Sequence, residues 1–322
     1  MRATGEPAET TVLPGYPETV PPPLLIADVP WLLYRSFFAL PKSIVDGEGR
    51  PVNALLGTVN ALLTVMNARP PRGVVACMGA EEAVYRVKLY PPYHAHRDPM
   101  PPELIAQWGK APILLESLGW TAASSDVLEA DDVMFSFARV EEESRGRALL
   151  VTGDRDLFGA VSERVAVVEL HKGGEPVEVG PAEVRERYGI GPALVADFIA
   201  LRGDPSDGLP GAPGIGAKTA AQLLRSHGSL EAVLAAAHEQ SVAGAAPRQA
   251  GAGAEGAMRP RISATLRESE GMLRTFKEIA TLQHIDVQRP EDRPTDFAGG
   301  ATVAREMGMR RLADRLEKLA ED

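Results

Sequence analysis

The stretch ALLVTGDRD, residues 148–156, joins an apolar run to two acidic residues that follow it directly. Its first part predicts a β-strand, and Asp154 and Asp156 come immediately after the strand ends. Similar apolar runs lie at 24–28, 73–78 and 165–170. Apolar residues at helical spacing separate them, at 53–67, 103–118 and 129–143. Strands that alternate with helices in this way are typical of an α/β fold, with a parallel sheet covered by helices on both faces.

Acidic residues accumulate at the predicted strand ends. Asp28 ends the first run, and the carboxyl ends of parallel strands share one edge, so we expect Asp28, Asp154 and Asp156 to converge there. Three more acids open the helix at 129–143: Glu129, Asp131 and Asp132. Glu129 and Asp132 are three residues apart and should lie on one face of that helix.

Each of these acids taken singly has an ordinary structural explanation, as a helix cap, a turn residue or a complement to the helix dipole. As a group they do not, because unpaired carboxylates about 4 Å apart repel by several kcal/mol at an effective dielectric near 20. Such a cluster needs cations or bound protons. Oxygen ligands without His or Cys favour Mg²⁺ or Mn²⁺ over zinc. Two such ions about 3.5–4 Å apart form a site suited to phosphodiester chemistry.

A glycine-rich turn between two predicted helices is the second strong signal. The run at 203–208 contains two further acids, Asp204 and Asp207. The run at 211–216, Gly-Ala-Pro-Gly-Ile-Gly, leaves backbone N–H groups unshielded just before a helix with Lys218 in its first turn. This arrangement predicts a phosphate cradle that binds DNA without reading its sequence. The alternative is an ordinary connection between two helices.

Composition sets limits on the class of protein. The 322 residues carry 44 acidic against 34 basic side chains, a net charge of −10, which argues against binding of nucleic acid or membranes by bulk charge. The single cysteine, Cys77, excludes an internal disulfide framework and a cysteine-based zinc site. No apolar run reaches about 18 residues, so we expect no membrane span. Residues 1–23 lack the pattern of a secretory signal and predict a disordered leader, so we expect a cytoplasmic protein.

The strand signals mostly stop near residue 180, and this divides the chain. We predict an α/β unit at 24–180 and an all-helical unit at 181–320. The helical unit should contain a flexible Gly/Ala loop at 242–260. Its predicted helices lie at 181–189, 192–202, 217–227, 230–238, 262–282 and 309–319.

Several motifs in register resemble the 5′-3′ exonuclease/flap endonuclease family, which includes the N-terminal nuclease domain of bacterial DNA polymerase I and its free-standing relatives. The motifs are LLYRSFF at 32–38, EADD at 129–132, TGDRD at 152–156 and the run at 203–219. The resemblance covers residues 24–320. It implies a PIN-like α/β nuclease core followed by a helix–three-turn–helix (helix-hairpin-helix type) DNA-binding region.

Site residues follow from the resemblance position by position. It implies one metal ion at Asp28, Glu129, Asp131 and Asp132, and a second at Asp154, Asp156, Asp204 and Asp207. It implies catalytic positions at Arg86, His94 and Arg97. It implies DNA contacts at Tyr34, Arg35, Gly211, Gly214, Ile215, Gly216, Lys218 and Thr219, with K⁺ at the hairpin turn. For Phe37 and Phe38, apolar packing is favoured over base contact.

The resemblance also implies a partner and a setting. The substrate would be DNA with a 5′ end, a nick or a 5′ flap, cut in replication or repair. We expect a monomer associated with the nucleoid, with a functional link to a DNA polymerase.

The sequence departs from the family pattern at two positions, both in the segment 79–97, which the resemblance identifies as the arch for the 5′ strand. Gly79 stands where relatives carry a metal-binding Asp, and His94 stands where they carry a lysine near the reacting phosphate. A neutral imidazole supplies no fixed cation near pH 7, so we expect binding to be kept and turnover to be reduced. Restoring Gly79→Asp and His94→Lys should then raise activity. Two alternatives stay open: a structure-specific DNA-binding protein with little catalysis, and an RNase of the PIN-like group.

Overall fold

A six-stranded sheet forms the centre of the molecule in the computed structural model, which describes residues 21–171, 174–242 and 258–321. The strand order is β3-β2-β1-β4-β5-β6. The first five strands are parallel, and the edge strand β6 is antiparallel to β5. The strands are β1 Leu24–Asp28, β2 Gly73–Cys77, β3 Thr121–Ala123, β4 Ala148–Val151, β5 Val165–Glu169 and β6 Val177–Val179. Every residue of β1, β2 and β4 is buried, which explains why their apolar runs do not alternate.

Thirteen helices surround this sheet within the described residues. The first six are α1 Val29–Ala39, α2 Asn53–Ala68, α3 Val84–Leu89, α4 Pro102–Trp108, α5 Ala111–Ser117 and α6 Ala130–Glu143. The next five, which we call the helical unit, are α7 Pro181–Tyr188, α8 Val195–Arg202, α9 Ala217–His227, α10 Leu230–Val242 and α11 Pro260–Ala280. The last two are α12 Phe297–Glu306 and α13 Arg310–Glu321, and short 3₁₀ turns lie at Asp156–Ala160 and Pro192–Leu194. No helix among these described residues is both long and apolar enough to cross a bilayer.

Most predicted elements are present, but the single helix expected at 103–118 is wrong. The structure has two helices there, α4 and α5, separated at Gly109 and Lys110. Pro112 explains the break, because its ring would collide with the carbonyl of Trp108 in a continuous helix. The predicted leader lies almost wholly outside the described residues, and so does most of the Gly/Ala loop.

The two faces of the sheet carry separate apolar cores. Leu24 and Ile26 point into a core shared with α6 and the helical unit. Leu25 and Ala27 point into a second core, to which α1, α2, α5, α12 and α13 contribute. Helices α12 and α13 therefore pack on the α/β unit, although the predicted division groups them with the helical unit.

An extended segment, residues 281–296, carries the chain back from the helical unit to the sheet. Its backbone is held by side chains of α6: the amide of Gln283 donates to Asp132 Oδ1 at 2.8 Å, and the amide of Ile285 donates to Ser136 Oγ at 3.0 Å. We call residues 281–296 the return segment. Because Asp132 and Ser136 are one helical turn apart, the return segment runs along one side of α6.

Candidate active site

A cavity of about 820 Å³ lies at the carboxyl edge of the sheet, as the predicted topology requires. The arch segment, residues 79–97, forms part of its wall. Six of the eight predicted metal ligands line it: Asp28, Glu129, Asp131, Asp154, Asp156 and Asp207. Asp132 and Asp204 are not among the lining residues.

Hydrogen bonds fix Asp28 and Asp154 relative to each other. The hydroxyl of Thr152 donates to Asp28 Oδ2 at 2.7 Å and accepts from the amide of Asp154 at 2.9 Å. The other oxygen of Asp28 accepts from the amide of Trp31 at 2.9 Å, which caps α1. Asp154 in turn accepts from the amide of Asp156 at 2.9 Å. These hydrogen bonds fix the positions of Asp28, Asp154 and Asp156 without the help of a bound cation.

Four of the acids form no ion pair with a cation in the described part of the chain, and we call them the open acidic cluster: Asp28, Asp131, Asp154 and Asp156. Burial is the largest cause that raises the pKa of Asp28 to about 6 and that of Asp154 to about 6. Burial, followed by repulsion from neighbouring acids, raises the pKa of Asp131 and of Asp156 well above the ordinary value. Within the described residues no salt bridge reaches any of the four. A bound cation is the partner that this arrangement lacks.

The other predicted ligands are neutralised by the protein itself. Arg86, which is 4% exposed, contacts Glu129 at 3.1 Å and Asp132 at 2.8 Å. Tyr93 Oη also donates to Glu129, at 3.0 Å. Asp204 lies 3.0 Å from the guanidinium of Arg202. These acids therefore have partners that the open acidic cluster does not have.

Asp207 is held by two residues of the arch segment. His94 Nε2 lies 3.0 Å from Asp207 Oδ1, and Arg97 Nη2 donates to the same oxygen at 3.2 Å. Burial raises the pKa of Asp207, but His94 and Arg97 outweigh it and hold that pKa below the ordinary value. Asp207 is therefore held as an anion by groups of the arch segment.

The three predicted catalytic residues occupy different environments. His94 is 2% exposed, stacks on the ring of Tyr93 with centroids 3.8 Å apart, and has a left-handed φ of 56°. Arg86 is buried as well, and its Nε donates to the carbonyl of Ile279 at 3.0 Å. Arg97 alone of the three keeps about half of its side chain exposed. It is therefore the one of these cations best placed to reach a ligand in the cavity.

The arch segment is docked on the helical unit. The rings of Tyr90 and Phe276 meet edge to face with centroids 5.1 Å apart. The amide of His94 donates to the carbonyl of Asp207 at 3.2 Å. Together with the contact between Arg86 and Ile279, these interactions close the segment over the edge of the cavity.

Gly79 has no room for a side chain. A Cβ atom there would lie 2.4 Å from the amide nitrogen of Ala130 and 2.5 Å from the carbonyl carbon of Glu129. The backbone at the start of α6 thus occupies the place that an aspartate would need. An aspartate at residue 79 would require this backbone to shift, and the gain in activity expected of Gly79→Asp stays a prediction.

The predicted hairpin has the backbone that its glycines suggest. Gly211 has φ of 67°. A Cβ atom added to it would lie 2.3 Å from the amide nitrogen of Gly203, so the backbone segments around these two glycines are in close contact. Gly214 has φ of 78° and is exposed. Gly216, the residue before α9, is exposed and Thr219 is partly exposed.

Not all hairpin residues face solvent. Lys218 is exposed and lines a groove of about 400 Å³ with Arg187 and Arg225. Gly211 and Ile215 are buried, and Ile215 belongs to the apolar core. The structure therefore places the exposed hairpin residues beside Lys218 and leaves Ile215 to packing.

The aromatic residues of α1 divide in a way that the sequence does not reveal. Phe37 is 1% exposed, so the prediction of apolar packing is confirmed for it, whereas Phe38 is 70% exposed and the prediction is wrong. Tyr34 lines the cavity. Arg35 does not, and its guanidinium lies over the ring of Trp31, 5.6 Å from the centroid.

Sequence reasoning missed three residues that shape the site. Thr152 connects Asp28 to Asp154, Tyr93 binds Glu129, and Trp108 lines the cavity from α4. Thr152 could have been found, because its hydroxyl opens the TGDRD run directly at the end of a strand. Trp108 gave no such signal, since its place depends on how α4 packs against α1.

Two family models match most of the chain. One, described as 5′-3′ exonuclease, N-terminal resolvase-like domain, matches residues 23–189. The other, described as 5′-3′ exonuclease, C-terminal SAM fold, matches residues 190–295. Helices α12 and α13 lie beyond both matched ranges.

Curated relatives agree with these matches. A 5′-3′ exonuclease of Mycobacterium tuberculosis is 39% identical over 239 residues, which cover 68% of this chain and 74% of the relative. A 5′-3′ exonuclease of Streptomyces coelicolor is 37% identical over 227 residues, with 66% and 74% covered. The thermostable DNA polymerase I of Thermus thermophilus is 39% identical over 211 residues, which are 66% of this chain but 25% of the polymerase. The chain thus spans about a quarter of that enzyme's length.

Solved structures share the fold at lower identity. The T5 D15 protein, co-crystallised with metal ions, superposes with a TM-score of 0.63 at 15% identity and covers 92% of this chain and 97% of its own. The catalytic core of Rad2 in complex with DNA substrate gives a TM-score of 0.61 at 13% identity, covering 92% and 91%. At these identities the likeness concerns the arrangement of the chain and not its chemistry.

Proposed function

Because this chain belongs to the 5′-3′ exonuclease family, we propose that it is a nuclease that hydrolyses phosphodiester bonds of DNA at a 5′ end, nick or 5′ flap and depends on Mg²⁺ or Mn²⁺. The open acidic cluster carries this proposal. Four acids meet at the carboxyl edge of the sheet with raised pKa values and without a salt bridge to any described cation. Hard divalent ions bound by oxygen ligands supply that missing charge.

The donor set fits such ions. Asp28, Asp131, Asp154 and Asp156 offer only carboxylate oxygens, and mutual repulsion would be relieved on binding. Within the described residues, no three Asp, Glu, His or Cys side chains already stand in a geometry that holds a metal ion directly. Coordination would therefore include water, which Mg²⁺ retains readily. Divalent ions at such a site lower the pKa of bound water and stabilise charge on the leaving oxygen.

The chain's own residues would position the DNA. Arg97 is the partly exposed cation of the cavity wall and would contact a phosphate of the cut strand. The hairpin around Gly214, with Lys218 at the start of α9, would hold the backbone of the duplex without reading bases. T5 D15, which shares this fold, was co-crystallised with metal ions, and the catalytic core of Rad2, which also shares it, was solved in complex with DNA substrate.

The decisive experiment is metal-dependent cleavage of a labelled duplex that carries a 5′ tail. We expect cleavage with Mg²⁺ or Mn²⁺ that the double variant Asp154→Asn/Asp156→Asn abolishes. Asp286→Asn, an exposed acid of the return segment, is the matched control and should cleave as the parent does. Cleavage that persists in the double variant would assign the chemistry to other residues and contradict the proposal.

A second candidate function rests on the arch segment. The aspartate of the family pattern has no room at position 79, and Arg86, His94 and Arg97 are each bonded to an acid. These contacts favour a structure-specific DNA-binding protein with little turnover. Metal-independent binding of the tailed duplex, without cleavage in either metal, would select this function over the first.

Other parts of the prediction stay predictions. They are a K⁺ ion at the hairpin turn, a monomeric state, association with the nucleoid and a link to a DNA polymerase. The polymerase relatives support only the last of these.

A further inference from the structure

Every nitrogen of the Arg86 guanidinium is engaged in a buried contact. Its Nη1 lies 3.1 Å from Glu129 Oε2, and its Nη2 lies 2.8 Å from Asp132 Oδ1. Its Nε donates to the carbonyl of Ile279 at 3.0 Å. The arginine is 4% exposed and Asp132 is 0% exposed. The start of α6 and the end of α11 therefore hold this guanidinium from two sides.

Glu129 has little capacity left for a metal ion. Its Oε1 accepts from the amide of Ala83 at 2.8 Å, and its Oε2 accepts from Tyr93 Oη at 3.0 Å in addition to the contact with Arg86. Because a carboxylate oxygen offers about two acceptor sites, Oε2 is saturated. A metal ion that bound Glu129 through Oε2 would have to displace Tyr93 or Arg86.

Asp132 is still less available to a metal ion. Its Oδ1 accepts from Nη2 of Arg86 and from the amide of Gln283, both at 2.8 Å. Its Oδ2 has no hydrogen-bond partner among the described residues, but that atom is buried and Asp132 does not line the cavity. This carboxylate therefore presents no surface to an ion in the cavity.

Charge separates these two acids from the open acidic cluster. The guanidinium of Arg86 already supplies a positive charge to Glu129 and Asp132, and arginine stays charged in proteins. A divalent ion beside it would be repelled, and the repulsion is strong where water is excluded. No salt bridge within the described residues supplies such a charge to the open acidic cluster. The cluster can therefore accept the ion that Glu129 and Asp132 reject.

We propose that Arg86 is a built-in cation that takes the place of a divalent ion at Glu129 and Asp132, so that this chain binds metal through the open acidic cluster alone. The inference rests on the proposed function and specifies the ligands of its metal. It removes two acids from the ligand set that the resemblance implies. It also makes Arg86 a positioning residue that acts through α6, and not a residue that contacts the reacting phosphate.

The first test compares two acids of one motif without DNA. MnCl₂ is titrated into the full chain near pH 8, and electron paramagnetic resonance of free Mn²⁺ gives the number of bound ions and their affinity. Loss of an outer-shell partner costs about 10–100-fold in metal affinity, so Asp131→Asn, which removes a direct ligand, should cost at least about tenfold. Glu129→Gln removes only a nearby charge and should stay within about threefold of the parent.

Removal of the guanidinium tests the proposal from the other side. Arg86→Gln leaves both acids without their cation, and we expect it to bind about one more Mn²⁺ ion per chain than the parent. Arg86→Lys keeps a positive charge and should bind the parental number. Arg274→Gln is the matched control, because Arg274 also bridges two acids, Glu231 at 2.8 Å and Glu270 at 2.7 Å, but with half of its side chain exposed. It should bind the parental number of ions.

A parental Mn²⁺ count in a folded Arg86→Gln protein would overturn the proposal, and so would equal loss of affinity in Glu129→Gln and Asp131→Asn. Thermal unfolding shows whether each variant is folded. If Arg86→Gln does not fold, the comparison of Glu129→Gln with Asp131→Asn decides alone. Failure of the proposed function looks different: neither metal would support cleavage by the parent, while the additional Mn²⁺ ion of Arg86→Gln would still be measured.

Discussion

The guanidinium of Arg86 donates to Asp132 at 2.8 Å in a position where both side chains are buried, 4% and 0% exposed. Asp131, the adjacent residue, has no such partner among the residues that the structure describes and belongs to the open acidic cluster. Burial raises the pKa of both acids, but only that of Asp132 is opposed by a contacting arginine. Asp132 also accepts a hydrogen bond from the backbone amide of Gln283. It therefore links three parts of the chain, namely the arch segment, α6 and the return segment.

Removal of Asp132 should therefore cost stability. In Asp132→Ala the charge of Arg86 stays buried with one partner fewer, and breaking a buried pair costs about 3–5 kcal/mol. Urea unfolding measures this loss. Asp286→Asn is the control and should unfold as the parent does. An unchanged unfolding midpoint in Asp132→Ala would show that the Arg86–Asp132 contact contributes nothing to stability.

Removal of Asp131 should have the reverse effect in metal-free protein. The folded-state pKa of Asp131 is raised, so its contribution to stability is present below the unfolded pKa of about 4 and is lost as pH rises through the folded value. Asp131→Asn should match the parent near pH 4 and exceed its melting temperature by about 2 to 4 °C near pH 8. Thermal unfolding in a chelator measures this difference.

Metal provides the complementary measurement for Asp131. At pH 8, Mn²⁺ should raise the melting temperature of the parent more than that of Asp131→Asn, because binding to the folded state stabilises it. Calorimetric titration should show weaker Mn²⁺ binding in the variant. Equal Mn²⁺ affinity in both proteins would exclude Asp131 from the metal site.

Gly79→Ala should destabilise the chain by about 1–3 kcal/mol, because its Cβ would overlap the backbone at the start of α6. Gly271→Ala is the matched control, since a Cβ there meets nothing and the residue lies inside α11. That control should be about 0.5–1 kcal/mol more stable than the parent. Denaturant unfolding of both variants measures the two changes in stability. Unchanged stability of Gly79→Ala would contradict the close approach of the α6 backbone to residue 79.

Lys218→Ala should weaken binding of duplex DNA uniformly across sequences. Because the variant can no longer neutralise one phosphate, the slope of log K against log salt should fall by about 1. Fluorescence anisotropy over a salt series measures the slope. Lys318→Ala, which replaces an exposed lysine of α13, should leave it unchanged, and an equal effect of the two variants would mean that the hairpin has no special part in DNA binding.

Much of the sheet was predictable because its central strands are short, continuous apolar runs bounded by polar residues. The strands β3 and β6 were not predictable, since three residues are too few to show the periodicity of a strand. The break at Pro112 was readable from the sequence but was missed. Helical spacing predicted a helix near α13, yet its packing on the α/β unit depends on contacts between residues far apart in the chain.

The acids of the site were predictable for a topological reason. Asp28, Asp154 and Asp156 follow strands that share one edge, so parallel pairing brings them together. The difference between Asp131 and Asp132 was not predictable, because it depends on where the arch segment places Arg86. The same limit applies to Gly79, whose lack of space is set by the backbone of α6.

The return segment has a mechanical consequence. The chain passes between the α/β unit and the helical unit twice, after β6 and along residues 281–296, and the second connection is bonded to α6. The two units also share one apolar core, which spans the sheet, α6 and the helices α7 to α11. If the hairpin holds DNA, the two connections and the shared core together limit changes in the angle between that DNA and the acids.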